Sequence, residues 1–315
     1  MTDPFLARLP LSRSALDRDH RARATGTESL LAEASARAVV LHEGKALLDG
    51  EASLALLPAA SVPHEAALYL GRAIADSPDL PAGAPVLALI VDDAQAAELT
   101  GPAPVEGAWG DLRRLGHLMS ERDAGLFTQA LALANWHTAY GFSPRTGAAT
   151  AMGSAGWTRL DEDGREVFPR TDAAVIVGVT DGEDRLLLGS NAMWEGNRFS
   201  LLAGFVEPGE SLESAVIREV HEESGLVVTD PVYLGSQPWP FPASLMVGFR
   251  AWVAEGTPTA GTPDGEEIME LRWFTRDELR DAAASGEIIL PGPTSIARAI
   301  VEEWYGGPLT DGSRW

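Results

Sequence analysis

Apolar residues recur along this chain with two periods, one of two residues and one of about 3.6, and the change between them marks its elements. In the first third, residues 37–41, 67–70 and 86–91 are short aliphatic runs between turn-forming residues and read as strands. A helical pattern follows. Ser120 with Asp123 has the form of a capping box, and Leu126, Phe127, Ala130, Leu131 and Ala134 make the buried side of a helix reaching about Trp136. Residues 173–179 form a strong strand, AAVIVGV, which turns at Asp181-Gly182 into residues 185–189 and so predicts a hairpin. Strand-like runs return at 245–253 and 271–274, then a helix capped by Thr275 and Glu278, and a last helix near 296–304. No internal repeat is visible. Residues 137–170 are polar and irregular, and GPAPVEGAWG at 101–110 reads as a connector.

One segment breaks the amphipathic rule. Between Gly204 and Leu226 the chain reads GFVEPGESLESAVIREVHEESGL. Pro208-Gly209 marks a turn, Ser211 caps a helix over 212–224, and Gly225 stands where a left-handed C-terminal cap belongs. At about 100° per residue, Leu212, Ala215, Val216 and Val220 define the apolar stripe. Glu219 and Glu223 fall inside that arc, and Glu222 lies just off its edge. A glutamate-rich helix is ordinarily a solvated face. Carboxylates on a packing face cost several kcal/mol each unless paired or metal-bound, and Arg218 alone cannot balance Glu210, Glu219, Glu222 and Glu223. Hard oxygen ligands gathered this tightly suit Mg²⁺ or Mn²⁺, which in turn suit a substrate carrying phosphates.

The composition is that of a globular chain: 315 residues, 45% hydrophobic and 22% charged, long enough for two or three structural units. With 24 Lys+Arg against 46 Asp+Glu the net charge is −22, a field that repels free nucleic acid and membrane surfaces. A phosphate-bearing substrate must therefore be drawn in locally. The amino terminus lacks the continuous apolar core of a signal peptide, and the run PVLALIV at 85–91 is far short of the roughly 20 residues a membrane-spanning helix needs. A cytoplasmic protein without membrane contact is expected. There are no cysteines, which excludes disulfides and thiol catalysis.

Glycine 204, Glu210, Arg218-Glu219-Val220, Glu222-Glu223 and Gly225-Leu226 stand at the spacing of the Nudix box, so the chain resembles a Nudix hydrolase. A second array lies downstream, SQPWPFPAS at 236–244. Its three prolines exclude a central strand and predict a rigid, extended loop bearing Trp239 and Phe241. By itself it reads as a proline-stiffened core loop, but beyond a Nudix box it resembles the SQPWPFPxS array of the NADH pyrophosphatase family.

That resemblance implies an α/β fold in three parts: an N-terminal α/β domain over 1–136, a zinc-ribbon-like segment over 137–170, and a Nudix α/β/α sandwich over 171–315. It implies that Glu219, Glu222 and Glu223 bind divalent metal, Mg²⁺ or Mn²⁺, with a further carboxylate from GEEIMELRW at 265–273. Counting back from Trp273 gives Glu267, with Glu270 and Glu266 as alternatives. Glu222 and Glu267 are both candidates for the catalytic base. Phe205 matches the ring that stacks on nicotinamide, against the simpler reading of a core phenylalanine. Phe168 matches a second pocket aromatic, in place of an expected tyrosine. Gln237, Ser244 and Ala297 match substrate contacts. The family's ribbon usually carries four zinc-binding cysteines, whose positions align with Ser143, Thr146, Leu160 and Asp163; no zinc is expected, and the ribbon is expected to be held by Trp157 and local packing. The implied activity is hydrolysis of NADH or NAD⁺ to nicotinamide mononucleotide and AMP, extending to NAD caps on RNA, by a homodimer. The alternatives are another Nudix specificity, such as ADP-ribose, and a non-catalytic nucleotide sensor.

Overall fold

The computed structural model describes residues 5–100, 108–194 and 196–310. Seven residues of the expected connector, 101–107, lie outside the described residues. The chain divides into two compact units, one of residues 10–171 with 239–243 and one of residues 1–9, 172–238 and 244–315.

The N-terminal unit is built on seven strands, β1 (Leu16–Asp17), β2 (Arg37–His42), β3 (Lys45–Leu47), β4 (Leu56–Pro58), β5 (Ala66–Ala73), β6 (Pro85–Ile90) and β7 (Trp109–Gly110). Their order is β1-β5-β6-β2-β3-β7, with β4 also paired to β2. The three runs expected as strands are its centre: β2 and β6 pair in parallel, β5 and β6 antiparallel. Both faces of these strands are buried, which is why they read as continuous rather than alternating apolar runs. Of the helices α1 (Thr27–Leu31), α2 (Asp93–Thr100), α3 (Leu112–Leu115) and α4 (Glu121–Ala139), the last supplies most of one core, with Leu126, Phe127, Ala130, Leu131 and Ala134 all buried. The capping box expected there is only half formed. Ser120 accepts from Asp123 N–H, but the buried Asp123 carboxylate turns to Leu54 N–H and Arg122 instead of back to the cap.

Residues 137–170 are more ordered than their composition suggests. They form an antiparallel sheet of β8 (Ala151–Gly153), β9 (Thr158–Leu160) and β10 (Glu166–Val167), correcting the expectation of irregular structure. One turn, around Ser143, is closed by Ser143 N–H to Ala148 O and Gly147 N–H to Ser143 O. The other wraps the Asp161 carboxylate, which accepts from Asp163 and Arg165 N–H. Arg145 of the first turn reaches Asp161 at 3.0 Å and joins the two. Burial by itself would raise the Asp161 carboxyl; the Arg165 N–H, the Arg145 guanidinium and the Asp163 N–H outweigh it and hold the group below its ordinary range. Trp157 donates to Tyr69 O at 2.7 Å, tying the ribbon to β5. Both His137 nitrogens are engaged, with Gly156 O and Arg159.

In the C-terminal unit the sheet order is β14 (Val228–Trp239), β15 (Ser244–Val253), β11 (Asp172–Thr180), β12 (Leu186–Asn191), β16 (Ile268–Phe274), with β13 (Leu202–Phe205) also paired to β11. Strands β11 and β15 run parallel, and the pairs β11–β12, β11–β13 and β12–β16 antiparallel. Helix α5 (Leu212–Ser224) packs with Val175, Val177 and Val247. Helices α6 (Arg276–Ser285) and α7 (Ile296–Tyr305) pack in a second core with Ile176, Leu186 and Leu188. Because side chains alternate across a sheet, residues 175 and 177 face one helix layer and 176 the other, which makes the unit an α/β/α sandwich. Phe5 and Leu9 belong to the second of these cores.

The array 236–244 departs from the expected loop. Residues 236–239 are the end of β14 and residue 244 starts β15, leaving only 240–243 as the turn. Proline is tolerated because β14 is an edge strand. Trp239 and Phe241 pack edge to face at 4.9 Å against the N-terminal unit's core, and Asn135 donates to Pro240 O at 2.9 Å. Among the described residues no helix is long and apolar enough to cross a membrane.

Candidate active site

Helix α5 forms as its caps dictate. Ser211 accepts from Ser214 N–H at 3.1 Å, and Gly225 takes φ +67°, a left-handed conformation with little cost for glycine, with its N–H on His221 O. Ala215, Val216 and Val220 are buried, so the helix face carrying Glu219 and Glu223 is held against the sheet. Glu223 is 5% exposed, Glu219 partly buried and Glu222 exposed, the order their angular positions predict.

Arg218 organises the acidic groups. Its Nε and Nη2 bind both oxygens of Glu210 at 2.8 and 2.9 Å, Nη1 binds Glu219 Oε1 at 2.8 Å and Glu222 Oε2 at 2.9 Å, and Nη2 donates to Phe205 O at 2.9 Å. Glu210, which also accepts from Glu207 N–H, is thereby a structural partner, its carboxyl held below the usual range first by Arg218. The motif glycine has a different role from Gly225. A methyl on Gly204 would stand 2.1 Å from Glu219 Cδ and 2.2 Å from both its oxygens, so only glycine lets this carboxylate lie against β13.

Glu223 has the site's most perturbed chemistry. Burial, then the charges of Glu219 and Glu267, push its carboxyl up to about 8, and its Oε2 is buried with no hydrogen-bond partner. Glu219 is also raised, by burial first, against the lowering pull of Arg218. Among the three acids considered for the fourth position, Glu267 is the one whose charge acts on both Glu219 and Glu223. It precedes β16, where Ala192 N–H bonds its carbonyl at 2.9 Å. Asp264, which the sequence reading missed, shapes this turn: its Oδ1 accepts from the N–H groups of Glu266, Glu267 and Ile268. An aspartate two to four residues ahead of those amides, before a glycine, was the available signal.

The charges of Glu222 and Glu267 bear on Glu219, and those of Glu219 and Glu267 on Glu223, but the four do not converge on one point. The described trio whose ligand atoms meet within 4.8 Å is His42, Glu43 and Asp93, of the N-terminal unit. Arg218 holds Glu219 and Glu222 to itself, while the unpartnered Glu223 oxygen and the surplus of negative charge suit a divalent cation.

The other expected contacts divide. Phe205 ends β13 and is 60% exposed, which removes the core-phenylalanine reading. Phe168, in the N-terminal unit, is likewise exposed. Ser244 is half-buried at the start of β15, opposite Asp172. Gln237 is fully buried, its amide donating to Thr294 O at 2.9 Å, and Ala297 is buried in the core under α7. Both side chains are turned into the protein in this conformation.

Comparison with known proteins agrees with this geometry. The Nudix domain family matches residues 169–290, and the family described as an NADH pyrophosphatase-like rudimentary Nudix domain matches residues 35–136. The NAD-capped RNA hydrolase NudC of Mycobacterium bovis (strain BCG / Pasteur 1173P2) is 43% identical over 319 residues, covering 96% of this chain and 94% of that protein. NudC of Mycobacterium tuberculosis (strain H37Rv) is 42% identical over the same coverage. NUDT12 of Homo sapiens, also an NAD-capped RNA hydrolase, is 38% identical over 200 residues, 59% of this chain and 42% of that protein. With relatives at this identity over nearly the whole length, and with the Nudix box folded into an acidic helix bound to its own arginine, the chain belongs to the NADH pyrophosphatase family of Nudix hydrolases.

Proposed function

We propose that this protein hydrolyses the pyrophosphate bond of NADH and NAD⁺ to nicotinamide mononucleotide and AMP, and removes NAD caps from RNA. The observation that carries it is the buried Glu223 carboxyl, its Oε2 without a hydrogen-bond partner, under the charges of Glu219 and Glu267 on a helix otherwise matched to its core. Glu219, Glu222, Glu223 and Glu267 would hold Mg²⁺ or Mn²⁺. When bound, such a cation offsets charge on the pyrophosphate oxygens and acidifies a water.

The chain's own groups divide the remaining work. Arg218 occupies both Glu210 oxygens but only one each of Glu219 and Glu222, so Glu219 Oε2 and Glu222 Oε1 are left for ligation. Glu223 would have to be ionised to serve as a ligand, against the burial that raises its carboxyl. Glu222 and Glu267, exposed at the edge of the cluster, are the two groups placed to take a proton from the attacking water. Phe205, exposed beside the Arg218 anchor, offers a face for the nicotinamide ring, with Ser244 as a further contact. The enzyme would work in the cytoplasm as a homodimer.

The deciding assay compares NADH with ADP-ribose at one Mg²⁺ concentration. Preferred cleavage of NADH, yielding the mononucleotide and AMP, supports the reading; preferred cleavage of ADP-ribose, or of neither, overturns it.

A further inference from the structure

A chain of net charge −22 repels the polyanionic tail of a capped RNA unless some local group neutralises it. One place in the N-terminal unit has that character. Residues 17–23 read DRDHRAR, and both aspartates are used internally: Asp17 accepts from Asp19 N–H, and Asp19 accepts from Tyr69 Oη and Arg72 Nε. Arg18 and Arg23 form no ion pair with any described carboxylate. Instead both lie over the Trp157 ring, at 5.5 and 3.6 Å from its centre. Arg23 Nε is buried without a hydrogen-bond partner, and Nη2 reaches only Arg18 O at 3.3 Å.

Arg23 also lines a cavity of about 450 Å³, with Thr27, Met152 and Ser154 on its walls. That volume is enough for a phosphate and an attached sugar. The rim is strained where it meets the ribbon: Ser154 and Ala155 take φ of 46° and 49°, in the left-handed region. Burial, and then repulsion from Arg18, make the charge on Arg23 costly. An exposed arginine beside a half-buried one, neither in an ion pair with a described carboxylate, next to open volume lined by hydroxyl groups, is an anion site in its chemistry.

We propose that Arg18 and Arg23, ranged over Trp157 beside this cavity, bind a phosphodiester of the RNA chain carried by an NAD-capped substrate. The proposal rests on the reading that capped RNA is a substrate. The stacked guanidinium keeps its edge for a phosphate oxygen, and the Ser154 and Thr27 hydroxyls are available to a ribose or a second oxygen.

The test measures binding of a fluorescent, uncapped single-stranded RNA of about twelve nucleotides to the full chain across a salt series, beside NADH turnover. Arg18→Gln and Arg23→Gln should each weaken RNA binding about fivefold to tenfold at low salt and lower the slope of log affinity against log salt by about 0.7. NADH kcat/KM should stay within twofold of the parent, and Arg23→Lys should recover part of the loss. Arg18 is exposed, so its variant tests the site even if Arg23→Gln disturbs the ribbon. Unchanged affinity and slope in Arg18→Gln and in a folded Arg23 variant would overturn the proposal. So would variants that weaken AMP or inorganic phosphate binding alone, which would assign the cavity to a free phosphate. A parent that binds RNA through these arginines but leaves NADH intact would sink the pyrophosphatase reading while the RNA site stands.

Discussion

Replacing Gly204 by alanine should damage the site while sparing the fold. The added methyl would lie 2.1 Å from Glu219 Cδ and 2.2 Å from each carboxylate oxygen, well under ordinary contact, so something must move by more than an ångström. Strand β13 is held to β11 through the pairs Ala174↔Phe205, Val175↔Gly204, Ile176↔Ala203 and Val177↔Leu202, whereas Glu219 is a flexible side chain. The carboxylate therefore gives way and leaves its 2.8 Å contact with Arg218. Overpacking costs about 1–3 kcal/mol and a lost charged hydrogen bond about 1.5–3 kcal/mol, part of which solvent returns; a domain stable by roughly 5–15 kcal/mol survives this. Activity should not. Metal ligands tolerate about 0.2 Å and a misplacement near 1 Å costs on the order of 100-fold, so NADH kcat/KM should fall at least tenfold and the apparent Mg²⁺ requirement should rise. Gly182→Ala, with open surroundings and no positive φ, is the control and should behave as the parent. A folded Gly204→Ala enzyme with kcat/KM within twofold of the parent at every Mg²⁺ concentration would refute both the steric argument and the role proposed for Glu219.

Three further outcomes are expected. Glu223→Gln should lose activity by orders of magnitude because an amide ligates a hard cation poorly, yet its melting temperature in chelator should not fall, since the amide puts no charge at a position that disfavours one; near-normal turnover at saturating Mg²⁺ would show the metal site misassigned. Phe205→Ala should lower kcat/KM on NADH by roughly 1–3 kcal/mol and on ADP-ribose much less, and equal losses would place the nicotinamide elsewhere. Asp161→Asn should loosen residues 137–170, seen as faster amide exchange there, while zinc chelators leave the parent unaffected. Because the Asp161 carboxyl is held below its usual value, its stabilisation is present above the unfolded pKa of about 3.9 and lost as pH falls through the folded one, so the parent ribbon should loosen only below about pH 4. A parent ribbon that melts in chelator at pH 7 would point to a metal bound there.

Local elements were legible because each is written in neighbouring residues. The caps Ser211 and Gly225, the stripe of Ala215, Val216 and Val220, the Thr275–Glu278 box and the runs that became β2, β5, β6 and β11 needed only periodicity and termini. The same periodicity put Glu223 on a packing face, which is why the chemistry could be read before the fold. Family resemblance added names and roles, and the fold added what a motif position does not state, that the Gln237 and Ala297 side chains are buried.

Tertiary structure decided whatever depends on residues distant in sequence meeting in space. It brought the charge of Glu267 to bear on Glu219 and Glu223, and it recruited Asp264 to shape the turn before β16. It showed that the motif glycine yields room to a carboxylate fifteen positions on, a steric fact that no backbone preference at Gly204 announces. It paired β6 with β2 and β5 in a half of the chain that shows no repeat, although that half matches a rudimentary Nudix domain. It also replaced an expected irregular segment by a sheet whose two turns meet through Arg145 and Asp161. Sequence spacing determines faces and caps, because those are set within a few residues. Contacts, burial and charge coupling fall off over a few ångströms of space, and only the folded chain sets those distances.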